Sequence, residues 1–385
     1  MKHSALMVYG DAFLRYRFHD SHPFQPKRIQ LTLDLIRSFG WIEEDQLIAP
    51  RRAADKELAR THEESFIETV KQAPGGALST ERLEACGLGT EDNPVFPGMH
   101  EAAATVVGGT LVAAEQVMSG KCEHALNLAG GLHHALRGRA SGFCIYNDAA
   151  VAIAWLRKEY DARVLYIDTD AHHGDGVQWA FYDDPQVMTI SIHETGKYLF
   201  PGTGSVYERG QGPGFGTSIN LPLDAFTEDE SWLDAFLRVV PEAARRFRPD
   251  VILSQNGCDA HRYDPLTHLS ATMRIYREIP RTVHQLAHEL CDGRWIAVGG
   301  GGYDMWRVVP RAWTWLWAEM NDCAPEEADI PAEWLKRWQP ESPVDLPQTL
   351  HDPDGLFSPI PRRAEITEKN RRTTDQVLQM IKNHL

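Results

Sequence analysis

Between residues 125 and 300 the chain alternates short runs of β-favouring apolar residues with longer amphipathic stretches. Ala125 to Ala129 (ALNLA), Val164 to Ile167 (VLYI), Val187 to His193 (VMTISIH), Val251 to Gln255 (VILSQ) and the run from Trp295 (WIAVGG) are mostly apolar, the pattern of strands buried on both faces. Helical patterns run from about Asn147 to Lys158, Gly176 to Tyr182, Glu228 to Phe247 and Ser270 to Leu290, and a long Gly/Pro loop separates His193 from Glu228. Upstream, Ser4 to Tyr9 predicts a first strand. A loop held by Pro23 and Pro26 follows it, then helices from about Ile29 to Phe39 and about Ala54 to Lys71, a Gly-rich acidic loop, and helix again near Met99. Repeated units of strand, loop and helix predict an α/β fold: one open, mostly parallel sheet covered by helices on both faces. A single domain is expected over residues 1–325, with a C-terminal extension, 326–385, that turns Pro-rich near Pro340 and ends in a charged helix from about Ala364 to Lys382. No chemistry is evident in the extension.

In such sheets ligands bind beyond the carboxyl ends of the strands, and the unusual residues of this chain fall there. His133 and His134 follow ALNLA, His193 ends VMTISIH, Asp259 follows VILSQ, and Tyr303 follows WIAV and a run of four glycines. After VLYI come three aspartates and two histidines within eight positions, Asp168 to Asp175. Burying several carboxylates without compensation costs several kcal/mol each, so a bound cation is expected among them. Asp170 and His172 stand two apart, and alternate residues of an extended segment point the same way, so both could ligate one metal; Asp168 lies in the same phase, and Asp259 is the natural third ligand. Carboxylates mixed with imidazole suit zinc or another divalent transition ion. Taken singly, each aspartate or histidine here reads more readily as part of a capped strand-to-loop junction; the density of the cluster argues for a metal. His133 and His134 each need an orienting carboxylate, and Asp168 and Asp175 are available. The glycine run lacks the Lys-Ser/Thr ending and the spacing of a phosphate cradle, and instead presents the Tyr303 hydroxyl. Phe143 and Phe200, in Gly/Pro loops, either wall an apolar slot or join the core.

A formal charge of −15 argues against a nucleic-acid-binding surface and fits either a cationic substrate, such as a lysine side chain or polyamine, or simple solubility. Six scattered cysteines without a C-x-x-C pair fit reduced thiols. The apolar run in MKHSALMVYGD is short for a signal peptide and no run approaches membrane-spanning length, so a cytoplasmic protein that does not engage membranes is expected. H-E-x-x-H, G-x-S-x-G and Walker A patterns do not occur.

Together, DSHPFQPKR, EDNPVF, GGLHHA, SGFCIYND, YIDTDAHHGDGVQ, SIHETGKYLFPGTG, NGCDAHRYDPL and GGGGY resemble the arginase/deacetylase superfamily. The match is to the class I type histone deacetylases and their bacterial relatives, the acetoin-utilisation deacetylases, and runs in order from near residue 9 to about 320. The resemblance implies a metal-dependent amidohydrolase that removes acetyl groups from Nε-acetyl-lysine in proteins, with acetyl-CoA synthetase a substrate suggested by the acetoin link. It implies Asp170, His172 and Asp259 as ligands of zinc, or of ferrous iron, with His133 paired to Asp168, His134 to Asp175, and Tyr303 facing the scissile carbonyl. Gly142, Phe143 and Phe200 would line an acyl-lysine tunnel with Leu266 near its rim, Asp92 would hold the substrate backbone, and Arg28 would belong to an internal cavity that handles released acetate. Potassium is implied at Asp168, Asp170, His172, Ser191 and Ile192, and again near Phe181, Asp184, Val187 and Thr217. Gln25, Pro265 and Trp306 stand where corepressor-bound relatives carry basic residues, so neither inositol phosphate nor a corepressor is expected. An acetylpolyamine amidohydrolase and an acetyl-lysine-binding protein without hydrolysis are the alternatives; HPFQPKR and EDNPVF favour the protein substrate.

Overall fold

The computed structural model describes residues 4–384. The first three residues of the expected domain and of the N-terminal apolar run, and Leu385 at the end of the extension, lie outside them. The chain forms β1 (Ala5–Val8), α1 (Lys27–Ser38), β2 (Leu47–Ile48), α2 (Asp55–Leu58), α3 (Glu64–Gln72), α4 (Thr80–Ala85), α5 (Met99–Met118), β3 (His124–Asn127), α6 (Asp148–Tyr160) and β4 (Val164–Asp168). It continues with α7 (Asp175–Ala180), β5 (Val187–Glu194), β6 (Ser218–Leu223), α8 (Asp229–Phe247), β7 (Val251–Gln255), α9 (Met273–Leu290), β8 (Trp295–Val298), α10 (Val309–Met320), α11 (Ala332–Trp338) and α12 (Arg363–His384).

The strands make one open sheet in the order β2-β1-β3-β8-β7-β4-β5-β6, and every pairing is parallel. Every residue of β1, β3, β4, β5, β7 and β8 is buried, as the continuous apolar runs require of strands covered on both faces. After β3 the chain leaves a gap, lays β4, β5 and β6 outward, then returns to fill the gap with β7 and β8. The loops that follow β3, β8, β7 and β4 therefore open side by side on one edge.

The short β2, α4 and α11 are not marked by the sequence pattern, and three larger departures have a physical reason. The helix expected from Ala54 to Lys71 breaks into α2 and α3 because His62, between them, is buried and tied to distant backbone: Nδ1 lies 3.0 Å from the Leu136 carbonyl and Nε2 accepts the Asn147 amide at 3.0 Å. Six residues of the expected Gly/Pro loop form β6, whose Pro222 is tolerated because the strand lies at the sheet edge. No helical pattern marks α10, since every residue from Val309 to Met320 is buried and a helix covered all round shows no polar face.

The C-terminal segment packs on the rest at several points. Trp334 and Trp338 join Leu31, Leu35, Trp306 and Trp315 in an apolar cluster, with indole bonds to the Leu31 carbonyl (3.1 Å) and to Asp34 (2.7 Å). On α12, Val377 and Ile381 enter the main core, and Asn370 Nδ2 donates to the Thr227 and Ser231 hydroxyls at 2.7 and 2.9 Å. Asp352 reaches furthest: it lies 2.8 Å from His261 Nε2, accepts the Met273 amide at 2.8 Å, and pairs with buried Arg311 at 2.9 Å. Burial pushes its carboxyl upward, but the His261 bond and the Arg311 charge outweigh this and hold it well below the usual carboxylate range. Asp352→Asn strands a buried cation, so unfolding free energy is expected to fall by about 3–5 kcal/mol at neutral pH, read from urea melts. A depressed carboxyl contributes in full above its unfolded value, near 3.9, and loses that contribution as pH falls through the folded value. The gap between wild type and variant should therefore close in acid; equal midpoints at pH 7 would show the pair to be without weight.

Candidate active site

β4 ends at Asp168, and the chain beyond it bends, so Asp170 and His172 do not converge through the extended phase expected of them. They converge through two successive side-chain-to-backbone turns: Asp168 Oδ1 accepts the Asp170 amide at 3.1 Å, and Asp170 Oδ1 accepts the His172 amide at 2.9 Å. Asp259, delivered by the loop after β7, accepts the Ala171 amide at 2.8 Å through Oδ1 and lies 2.9 Å from His172 Nδ1 through Oδ2. One ligand atom from each of Asp170, His172 and Asp259 falls within 4.8 Å of the others, all three residues being buried. Gln255 Nε2 and the Gly301 amide donate to Asp170 Oδ2 at 2.8 and 2.6 Å and aim it. A Cβ at Gly301 would stand 2.3 Å from Asp259 Oδ2, which is why bare backbone passes here. Burial and the charge of Asp170 push the Asp259 carboxyl up to about 6 despite the His172 imidazole beside it. Two buried carboxylates pressed against one imidazole are a donor set that a divalent cation would neutralise, and nitrogen and oxygen ligands of this number fit zinc with one position open.

His133 and His134 stand beside that set. His133 Nδ1 lies 2.7 Å from Asp168 Oδ2 and His134 Nδ1 lies 2.7 Å from Asp175 Oδ1, while the two Nε2 atoms approach to 3.0 Å and so face the same place. Burial pulls both imidazoles down. At His133 the charges of Asp168 and Asp170 overcome it and raise the group to about 9, whereas at His134 the neighbouring His133 adds to burial and leaves it at about 4. Asp148 holds the glycine turn in front of the pair by accepting the Gly131 and Leu132 amides at 3.0 and 2.8 Å and the Thr110 hydroxyl at 2.6 Å. Tyr303 donates its amide to Asp264 at 2.8 Å and sets its ring edge-on to Phe143 (5.7 Å) and His172 (6.4 Å). Burial first, then Asp259 and Asp170, raise its hydroxyl well above the usual range, so it stays a donor.

Phe200 meets the His134 ring edge-on at 5.0 Å, and Phe143 meets the Tyr303 ring edge-on at 5.7 Å. Gly142 has φ +50, and a Cβ there would come within 2.6 Å of the His134 ring and 2.8 Å of the Phe200 ring. Phe143 has φ +69 and is held by the Tyr16 hydroxyl, which donates to its carbonyl at 2.7 Å. Leu266 is exposed and linked to Tyr303 through Asp264, which accepts both their amides. Asp92 is exposed; its carbonyl lies 3.2 Å from Nε2 of His22, whose ring meets Phe143 at 4.7 Å. Arg28 is buried away from the imidazoles, donating to the Gly302 carbonyl at 3.1 Å and lying over the Phe24 and Trp313 rings. Asp168 is in register with Ser191 across β4 and β5, with Ile192 next along. Phe181, Asp184 and Val187 are joined by two successive turns, Asp184 donating its amide to the Phe181 carbonyl and Val187 to that of Asp184, while the Thr217 carbonyl accepts the Thr189 amide.

The residue pattern missed several supports: Tyr166, whose hydroxyl donates to Asp168 at 2.7 Å, and Gln255, Asp264, Asp148, Tyr16 and His22. Gln255 and Asp264 carried some signal, the first as a polar end to an apolar strand and the second as an aspartate just after Asp259. Tyr166 carried none, because a tyrosine in an apolar run reads as core.

The histone deacetylase domain model matches residues 22–320. The acetoin utilization protein AcuC of Bacillus subtilis (strain 168) is 57% identical over 379 residues, covering 98% of each chain. AcuC of Staphylococcus aureus (strain MSSA476) is 47% identical over 365 residues, 95% of this chain and 94% of that one. Among solved structures, an HDAC homolog from Aquifex aeolicus superposes with a TM-score of 0.84 at 31% identity, covering 96% of this chain and 100% of that one. An HDAC homolog complexed with SAHA matches to the same extent, at a TM-score of 0.84.

Proposed function

The chain belongs to the histone deacetylase family, with the arginase/deacetylase fold, and from that premise we propose that it hydrolyses the Nε-acetyl amide of acetylated lysine in proteins. The observation that carries this reading is the meeting of two aspartate-held histidines, their Nε2 atoms 3.0 Å apart, beside the Asp170, His172 and Asp259 donor set. Zinc held by those three would supply Lewis acidity toward water and toward an amide carbonyl. His134 Nε2 accepts the proton of the attacking water as its oxygen bonds the carbonyl carbon, and the Tyr303 hydroxyl donates to the oxygen that takes up the carbonyl electron pair. When the C–N bond breaks, the proton on His134 passes to the departing amine, leaving acetate and lysine. His133 steadies the developing charge beside it. Asp168 and Asp175 fix which nitrogen each ring presents. Gly142, Phe143 and Phe200 line the lysine chain, Leu266 and Asp92 meet the polypeptide outside, and the Arg28 cation receives acetate. Potassium in this reading sits at Asp168, Asp170, His172, Ser191 and Ile192, and at Phe181, Asp184, Val187 and Thr217. The setting is cytoplasmic; among the described residues no helix is long and apolar enough to cross a membrane.

One assay tests the substrate and the metal together. Acetate release from an acetyl-lysine peptide of acetyl-CoA synthetase should exceed that from N-acetylspermidine in kcat/KM, should stop on chelation, and should return with added zinc. A preference for acetylspermidine would move the reading to a polyamine amidohydrolase, and binding of the peptide without acetate release would refute hydrolysis.

A further inference from the structure

A second group of imidazoles meets at the opposite end of the sheet from the site above. His124 opens β3, at its amino end, while His284 and His288 stand one turn apart in the last turns of α9. His284 Nε2 lies 3.0 Å from His124 Nε2 and 3.0 Å from His288 Nε2. His124 and His284 are buried and His288 is exposed.

A neutral imidazole nitrogen has a single in-plane position, filled by either a proton or a lone pair. His284 Nε2 can therefore make one well-directed hydrogen bond, and its second 3.0 Å contact is left with a misdirected proton or with like facing like. Three lone pairs directed at one shared cation remove the conflict. Zn–N bonds of 2.0–2.1 Å in tetrahedral geometry separate ligand nitrogens by roughly 3.3 Å, close to the two 3.0 Å spacings here, and the ligand atoms of all three residues lie within 4.8 Å of one another. The surroundings suit such a site. Asp322 Oδ1, just after α10, lies 3.7 Å from His284 Nδ1, a carboxylate behind a ligating ring. The Trp295 ring stacks on His284 at 6.0 Å and meets His124 edge-on at 5.5 Å, shielding the group from the core side. Gly293, at φ +78, passes so near that a Cβ would stand 3.1 Å from the His288 ring.

We propose that His124, His284 and His288 form a second, non-catalytic metal site that takes zinc or another imidazole-preferring divalent transition ion and clasps the amino end of β3 to α9. Three nitrogen donors exclude calcium and magnesium as its occupants. Exposure on the His288 side leaves the fourth position to water.

Zinc content after gel filtration of the full chain tests this. Wild type should carry about two zinc ions per chain and His288→Ala about one, with Asp259→Asn also near one and the double variant near none. His288→Gln, which likewise changes only the exposed ligand, should match His288→Ala. Added zinc should raise the melting temperature of Asp259→Asn but not of the double variant, and zinc-loaded His288→Ala should turn over acetyl-lysine peptide as wild type does. One zinc per wild-type chain, or two in His288→Ala, overturns the site. Loss of turnover in His288→Ala overturns its non-catalytic assignment. Because metal counting needs no deacetylation, the result stands apart from the substrate reading.

Discussion

His134→Ala is expected to lower kcat on an acetyl-lysine peptide by about 10²–10⁴ while zinc content stays at the wild-type level. Among the described residues His134 has no hydrogen bond to Asp170, His172 or Asp259; its Nδ1 is committed to Asp175 at 2.7 Å and its Nε2 lies 3.0 Å from that of His133. Removing it deletes the group that takes the proton from water and returns one to the amine, and leaves the metal donors in place. Added imidazole should restore part of the activity by filling the space the ring vacates. Turnover near the wild-type rate in a zinc-loaded His134→Ala protein would end the assignment.

Tyr303→Phe is expected to lower kcat by about 10²–10³, equivalent to about 2.7–4 kcal/mol, with KM little changed. The hydroxyl acts on charge that exists only as the carbonyl is attacked, so its loss should fall on kcat and not on binding. The ring should stay where it is, since the backbone at this position is held by the Tyr303 amide on Asp264 and the ring by Phe143 and His172. Zinc analysis of the variant separates the two explanations: full metal with full activity would remove Tyr303 from the chemistry, whereas lost metal would make it a structural residue.

The residues that carry both predictions were legible from the sequence to different degrees. Apolar runs located β3, β4, β5, β7 and β8 because a parallel strand buried on both faces has no polar alternation to blur it. Histidines and aspartates at the ends of such runs stood out against that background, and the arrangement of family motifs implied their pairing. Less was legible where burial erased the pattern or where a partner lay far away. α10 is covered all round and showed no face. Asp352, in a Pro-rich segment without any evident chemistry, meets His261, Met273 and Arg311 from 91, 79 and 41 positions away. His124 and His284 are 160 residues apart, and nothing local to either marks the other.

By itself the sequence determined the segments of β1, β3, β4, β5, β7 and β8, which residue types gather beyond their carboxyl ends, and so the kind of chemistry to expect. Only the tertiary structure decided the order of the strands, the bend after Asp168 that replaces an extended ligand segment, and the aiming of each donor by a partner such as Tyr166 or Gln255. The reason is physical. Strands and helices follow from burial and periodicity within a few residues, whereas a bond such as His133 to Asp168 or the Ala171 amide to Asp259 joins positions 35 or 88 apart. Such bonds exist only once the return of β7 and β8 into the gap between β3 and β4 has brought the loops together.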